Sequence, residues 1–195
     1  MLSAAMRRRP ASIIAGLLVG LGLAGTVAAC GEEDPAGVAG TSLVSAEAVE
    51  GEPLELANLG YNVGITRFLN PQDVEDEEYL VGLPAPKTGT AYLGVFLSIE
   101  NHTEIERPSA HRYTVVDTLG DEYEALEEIK SPYALDIGAV VPAEDELPAP
   151  NTTAQTGPIS GALLVFLVDD TVNENRPLKL EVASYAGLGE IILDI

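Results

Sequence analysis

Short apolar runs in which every second residue is polar or small recur along the chain after residue 53. Tyr61, Val63 and Ile65 alternate with small or polar residues in one run, and the segment Leu178–Val182 alternates in the same way. A period of two is typical of a strand that buries one face and exposes the other. These runs therefore predict β-strands that cover a core.

Two longer runs, Ala91–Asn101 and Ala162–Asp170, are apolar at consecutive positions. Such runs predict central strands that are covered on both faces. Residues Asp121–Lys130 have some helical character, but one helical turn there would not change the fold class. Shorter strand candidates are Leu54–Asn58, Arg112–Asp117, Glu122–Ala125 and Glu190–Ile195.

Turn-forming residues rich in glycine, proline and asparagine separate these runs, and no crossover helix stands between them. Seven or eight short strands in this arrangement predict an all-β fold, an immunoglobulin-like antiparallel β-sandwich. Residues 53–195 form the predicted domain, and their number is sufficient for a hydrophobic core of their own.

The first thirty residues follow the plan of an export signal. Three arginines at positions 7–9 precede the uncharged segment Ser12–Ala29, and a basic start followed by an apolar centre is typical of a signal peptide. The segment Val27–Cys30 looks like the lipobox of bacterial lipoproteins. That resemblance implies a signal peptide over residues 1–29, a lipid on the Cys30 thiol, and Cys30 as the first mature residue.

Two alternatives for this region remain open. Cys30 is the only cysteine of the chain, so it has no disulfide partner and would otherwise be a free thiol. The segment Ser12–Ala29 reaches the lower end of the roughly 17–25 residues that a spanning helix needs, so it could also stay uncleaved as an anchor. Beyond the cysteine, residues 30–52 are predicted to be a flexible acidic tether.

Charge and composition exclude several classes of function. All 31 acidic residues follow Cys30, together with seven of the ten basic ones, which gives the mature chain a formal net charge of −24. Nucleic acid is excluded as a partner because phosphate binding needs a basic face. With one cysteine, two histidines and both methionines in or before the signal, the mature chain cannot build a cupredoxin-like copper site, a cysteine-based zinc site or a thiol redox centre.

Two oxygen-rich stretches are candidate calcium sites. In the acidic run Asp73–Glu78, an extended backbone would place Asp73, Glu75 and Glu77 on one side, and hard cations prefer several oxygen ligands. The glycine and the twelve-residue loop of the known calcium motif are absent, however, so a solvated charged loop is the alternative. The second stretch contains Asp169, Asp170, Asn173 and Asn175.

No arrangement of residues predicts catalysis. His102 and His111 are the only imidazoles, and neither stands in a nucleophile-elbow or another catalytic context. The sequence therefore predicts a protein that is not an enzyme and that has no catalytic, cofactor-binding or metal-binding residues, with Cys30 as the one functional position.

Three segments resemble a domain-of-unknown-function family with a telokin-like, immunoglobulin-like fold, which is common in bacterial lipoproteins and similar in shape to a secreted mycobacterial immunoprotective antigen. They are an apolar strand that ends in Asn101 and Thr103, a hairpin with Asp and Gly at its turn (113–123), and a strand that begins at Gly161. The resemblance implies a fold and no catalytic residues. Residues 144–160 depart from the family pattern because the usual Pro-Gly turn is missing.

These observations together predict a lipid-anchored, non-enzymatic domain on the extracytoplasmic face of the cell membrane. Its expected partners are the membrane, through the lipid on Cys30, and a protein or another envelope component of unknown identity. The alternative is a carrier or sensor of a small ligand or Ca²⁺ at the cell surface.

Overall fold

A computed structural model describes residues 44–127 and 129–195 of the chain, and most of its regular structure is β-strand. A short α-helix, Thr153–Thr156 (α1), and a 3-10 helix, Asp170–Glu174, lie between strands. The strands are β1 (Val44–Val49), β2 (Leu54–Leu56), β3 (Leu59–Leu69), β4 (Thr90–Glu100), β5 (Arg107–Pro108), β6 (Arg112–Val116), β7 (Glu122–Glu124), β8 (Val140–Val141), β9 (Glu146–Leu147), β10 (Ala162–Asp169), β11 (Leu178–Ser184) and β12 (Gly187–Leu193).

The strands form two facing sheets and one small two-stranded sheet. The first sheet has the order β1-β12-β11-β6-β7, the second has the order β10-β4-β3-β2 with β9 beside β4, and β5 pairs with β8. Every strand ladder among the described residues is antiparallel except that of β1 with β12, which is parallel. The predicted all-β sandwich and all eight predicted strands are confirmed, whereas β1, β5, β8 and β9 were not predicted.

The main core lies between the two sheets and follows the predicted alternation, with one exception in β3. Tyr61 and Val63 are fully buried, but a β-bulge shifts the register between Val63 and Ile65. Because a bulge inserts one extra residue, it exchanges the faces of the residues that follow. Ile65 is therefore partly exposed and Thr66 is buried, the reverse of the predicted pattern.

The second sheet also has a core on its outer face. Tyr92 and Phe96 of β4 point away from the main core and pack with Tyr79, Leu163 and Val165. The prediction that β4 and β10 are covered on both faces is confirmed. The predicted central position is right for β4 and wrong for β10, which is the last strand of its sheet.

The free edge of β10 is covered by the segment that follows β7. The amides of Leu126 and Leu135 donate hydrogen bonds to the carbonyls of Val165 and Leu163, at 2.8 and 2.9 Å. An exposed strand edge is a site for unwanted pairing, and covering it removes that hazard. The helical character predicted for 121–130 is not realised in the described residues, because Glu122–Glu124 pairs with β6 as β7.

Strand β1 lies within the region that was predicted to be a tether. Ala46 and Ala48 pack against the main core, and the carboxylate of Glu50 accepts hydrogen bonds from the amides of Thr66 and Asp194, both at 2.9 Å. The prediction that residues up to 52 are flexible is therefore wrong from Val44 onward. The small residues of this segment predict a strand only weakly. Its strand conformation depends on pairing with β12, which the local sequence does not reveal.

The polar end of β4 ties two loops together. Asn101 is buried, and its side-chain amide donates hydrogen bonds to the carbonyls of Ile105, Val141 and Pro142 at 2.9–3.2 Å. Its carbonyl oxygen accepts bonds from the amide and hydroxyl of Thr103. This one side chain thus ties the segment after β4 to the segment after β8.

We expect Val165→Asp to destabilise the domain by several kcal/mol, because Val165 is fully buried in the outer core and a charge there has no partner. The matched control is Leu167→Asp, on the same face of β10 but 38% exposed, which should cost far less. Urea unfolding followed by circular dichroism measures both. Equal midpoints for the two variants would contradict the assignment of the outer core.

Candidate functional site

The acidic run 73–78 is folded into successive tight turns. The amides of Asp73, Asp76 and Tyr79 each donate a hydrogen bond to the carbonyl three residues earlier, at 2.9–3.1 Å. The run therefore has a period of three, not the period of two of an extended chain. Asp76 and Tyr79 point inward, while Glu75 and Glu78 point to solvent.

Asp76 is the buried anchor of this run. Only 3% of its surface is exposed, and its carboxylate pairs with the guanidinium of Arg67 on β3. The amide of Asn70 donates a second hydrogen bond to it, at 2.8 Å. A buried carboxylate needs such partners, so Asp76 fixes the loop to the sheet.

The same loop is held from its other side by aromatic packing. The ring of Tyr79 lies edge-on to Phe96 and to Tyr133, with centroids 5.1 and 4.8 Å apart. The hydroxyl of Tyr133 donates a hydrogen bond to the Glu78 carboxylate, at 3.1 Å. Gly157 makes room for Tyr133, since a Cβ there would lie 2.5 Å from the ring.

A groove of about 540 Å³ opens between this loop and the segment after α1. Its lining combines apolar side chains with three exposed glutamates. We call it the acidic groove; its residues are Arg67, Val74, Glu75, Glu77, Glu78, Tyr79, Pro158 and Ile159.

The electrostatics of the acidic groove favour a cation. The charge of Arg67 is balanced by Asp76, which leaves the carboxylates of Glu75, Glu77 and Glu78 without a neutralising partner among the groove residues. Burial raises the pKa of Tyr79; the Arg67 guanidinium opposes that rise and the Glu78 carboxylate adds to it. Tyr79 therefore stays neutral at physiological pH and contributes an aromatic ring with an uncharged hydroxyl to the groove lining.

The predicted calcium ligands are not gathered into a cation site. No group of three or more His, Cys, Asp or Glu side chains that could hold a metal ion occurs in residues 44–127 and 129–195. Asp73 uses a carboxylate oxygen to accept the amide of Glu75, at 3.0 Å, and Glu77 lies in the groove wall. Glu75 and Glu77 line the same groove, whereas Asp73 is not among the groove residues.

The second oxygen-rich stretch is engaged in hydrogen bonds of the fold. The Asn175 side chain donates to the Asp117 carboxylate, at 2.9 Å, and Asn173 accepts a bond from Arg176, at 2.6 Å. Asp169 and Asp170 lie where β10 passes into the 3-10 helix, and the amide of Asp170 donates to the carbonyl of Gly89.

Asp117 organises the hairpin between β6 and β7. Burial would raise the pKa of its carboxyl, but hydrogen bonds from the Asp121 amide, the Asn175 side chain and the amides of Leu119 and Gly120 outweigh it, and the pKa is lowered. This carboxylate is thus a structural acceptor at the Asp-Gly turn that the sequence singled out.

The two histidines lie in different surroundings. His102 is exposed, with its Nε2 3.4 Å from a Glu100 carboxylate oxygen. His111 stacks on Tyr185 with ring centroids 4.7 Å apart. Among the described residues, neither ring is hydrogen-bonded to a serine or threonine hydroxyl.

Cys30 and the predicted signal and tether up to residue 43 lie outside the described residues. Within the described part of the chain, none of the helices is long and apolar enough to cross a membrane. Sequence reasoning found the acidic run but missed Arg67, Pro158 and Ile159. These residues are far apart in the chain, and only tertiary packing brings them to one groove.

No protein-family model matches the chain, and no curated protein matches its sequence. Several solved structures are similar to it in shape. An uncharacterised β-sandwich protein from Clostridium difficile 630 has 14% identity and a TM-score of 0.46, with 76% of this chain and 93% of that chain covered.

The secreted protein MPT63 from Mycobacterium tuberculosis is similar at 13% identity and a TM-score of 0.45, with 76% of this chain and 96% of that chain covered. The yjhA protein from Bacillus subtilis has 10% identity and a TM-score of 0.46, with 75% and 99% covered. At such identities no residue role is transferred to this chain.

We predict that Asp117→Asn lowers stability by about 1 kcal/mol at neutral pH, because a charged hydrogen-bond acceptor becomes a neutral one. Since the folded pKa of Asp117 is lowered, its stabilisation is present above the unfolded value of about 3.9 and is lost as the pH falls through the folded value. The difference between wild type and variant should therefore shrink between pH 5 and pH 2, the range where such a carboxylate titrates.

Urea unfolding at a series of pH values measures this difference. The control is Asp136→Asn, an exposed aspartate whose side chain makes no hydrogen bond among the described residues. A constant difference for Asp117→Asn across the acid range would contradict the assigned role.

Proposed function

We propose that this protein is a lipid-anchored, extracytoplasmic, non-enzymatic binding domain whose acidic groove takes a basic, partly apolar segment of a protein or another envelope component. The proposed binding site rests on the acidic groove, whose lining combines apolar side chains with three exposed glutamates. The anchor is inferred from the lipobox-like segment Val27–Cys30.

The apolar and the acidic residues of the groove suit different parts of one ligand side chain. Val74, Tyr79, Pro158 and Ile159 offer apolar contact, and Val74 is 83% exposed in the free protein. Lysine and arginine combine a long apolar stem with a charged head, so they can bury the stem while the head meets a carboxylate. An acidic ligand would be repelled by Glu75, Glu77 and Glu78.

The net charge of the chain supports the same partner. The chain has 31 acidic and ten basic residues. This negative net charge attracts basic partners over a distance and speeds their encounter. Such attraction weakens with salt because exposed charges are screened within about 8 Å at physiological ionic strength. The groove residues also include no serine, cysteine or histidine, which suits binding more than catalysis.

For the anchor, we expect Cys30→Ala to abolish labelling by a fatty-acid analogue and to leave an unprocessed precursor, because the thiol that receives the lipid is gone. Metabolic labelling followed by gel analysis measures both effects. Absence of label on the wild-type protein would overturn the lipoprotein assignment.

For the groove, we expect a photo-crosslinking amino acid at Val74 to capture an envelope partner, with lower yield at high ionic strength. The triple variant Glu75→Gln, Glu77→Gln and Glu78→Gln should lose most of this capture because the cation then has no carboxylate to meet. Asp76 is left unchanged in the variant, since it holds the loop.

Two controls make this experiment specific. The exposed residues Glu122, Glu124 and Glu127 are changed to glutamine together, which alters net charge equally and should leave capture intact. The same crosslinker at Leu119, which is 73% exposed at the turn between β6 and β7 and is not a groove residue, should not yield that partner. If both triple variants lost the crosslinked partner equally, capture would depend only on net charge, and the groove would not be the binding site.

A further inference from the structure

One end of the sandwich carries an exposed aromatic residue. Tyr185, in the turn between β11 and β12, is 83% exposed, and its ring stacks on His111. A shallow cavity of about 270 Å³ beside it is lined by Ala57, Pro108 and Ala186, among others. We call this surface the Tyr185 face.

The Tyr185 face continues onto the small sheet. Pro108 of β5 is paired with Val140 of β8, so both side chains lie on the same side of that sheet. Pro108 is exposed, and Val140 is 52% exposed. An exposed aromatic ring beside exposed aliphatic residues is typical of an interaction surface.

The chain from the N-terminus reaches the domain at this same end. Val44, the first residue of β1, is paired with Leu188, which is three residues from Tyr185. The hydroxyl of Ser45 donates a hydrogen bond to the Leu188 carbonyl, at 2.7 Å, and this fixes the start of the strand. Strand β1 then runs about 20 Å toward the opposite end of the sandwich.

We propose that the Tyr185 face rests on the headgroup layer of the phospholipid bilayer when the protein is anchored. This inference rests on the proposed lipid at Cys30. Thirteen residues (31–43) separate Cys30 from Val44, and they span at most about 45 Å even if fully extended. Because the chain joins the domain at this end, contact of this end with the bilayer needs the least extension of the intervening residues.

The chemistry of the Tyr185 face suits that layer. A tyrosine ring is apolar with a polar tip, and tyrosine is enriched at membrane–water interfaces for that reason. Arg107 and Arg112 lie at the same end and can meet lipid phosphates, but they are outnumbered there by acidic residues: Glu100, Glu104, Glu106, Glu144 and Asp145. This end therefore gains no net attraction from anionic lipid, and the lipid anchor with apolar contact holds the face in place.

This orientation directs the acidic groove away from the membrane. Arg67 lies eight residues along β3 from Leu59, which follows the turn at the Tyr185 face, a separation of about 25 Å. A domain that stood on the Tyr185 face would therefore present the groove to soluble or envelope partners.

The absence of tryptophan from the chain allows a direct test. Tyr185→Trp introduces one fluorophore at the proposed contact, and Leu119→Trp introduces one at the exposed turn on the opposite end. The lipidated full-length variants are reconstituted into phosphatidylcholine vesicles with or without bromine on the acyl chains. We expect the tryptophan at position 185 to shift to shorter wavelength and lose most of its fluorescence to the bromines, while that at position 119 stays unchanged.

Flotation of the vesicles distinguishes failure of the anchor from failure of the orientation. Protein that does not float with the vesicles overturns the lipid anchor and, with it, the proposed contact. Protein that floats but shows no quenching at position 185, or equal quenching at 185 and 119, overturns the contact and leaves the anchor intact. Circular dichroism of both variants confirms that each is folded.

Discussion

The burial of β4 and β10 on both faces is the constraint from which the rest of this structure follows. One face of their sheet is covered by the opposing sheet, but Tyr92, Phe96, Leu163 and Val165 face the other way. Exposing that surface to water would cost about 25 cal/mol per Å². Segments 70–84, 129–135 and 153–160 cover this surface, and the acidic groove lies where the first and last of them meet.

The acidic loop illustrates how covering the sheet creates a site. Tyr79 is inserted between Phe96 and Tyr133 as part of the outer core, and Asp76 is paired with Arg67 beneath the loop. Because these two residues point inward, the side chains of Glu77 and Glu78 between them point to solvent. The exposed carboxylates thus follow from the packing of Tyr79 and the pairing of Asp76 with Arg67.

The sequence predicted the strands well and the site poorly, for physical reasons. The apolar pattern is local and reports burial directly, so β3 and β11 were recognised from alternation and β4 and β10 from continuous apolar runs. Strand β1 has small residues at the positions that face the core and depends on pairing with β12. The bulge after Val63 depends on the register with β4. Asp76 points inward because it pairs with Arg67, which lies nine residues earlier on β3. The sequence of residues 73–78 alone therefore does not show which carboxylate is buried.

Native-state hydrogen exchange tests most directly whether the acidic run is a fixed structural unit. The amides of Asp73, Asp76, Tyr79 and Leu83 donate hydrogen bonds within the loop, and buried packing should protect them from opening. We expect slow exchange of these four amides in the wild type and loss of that protection in Asp76→Ala, with strands β11 and β12 unaffected. Exchange of the four amides at the rate of an unstructured chain in the wild type would contradict it.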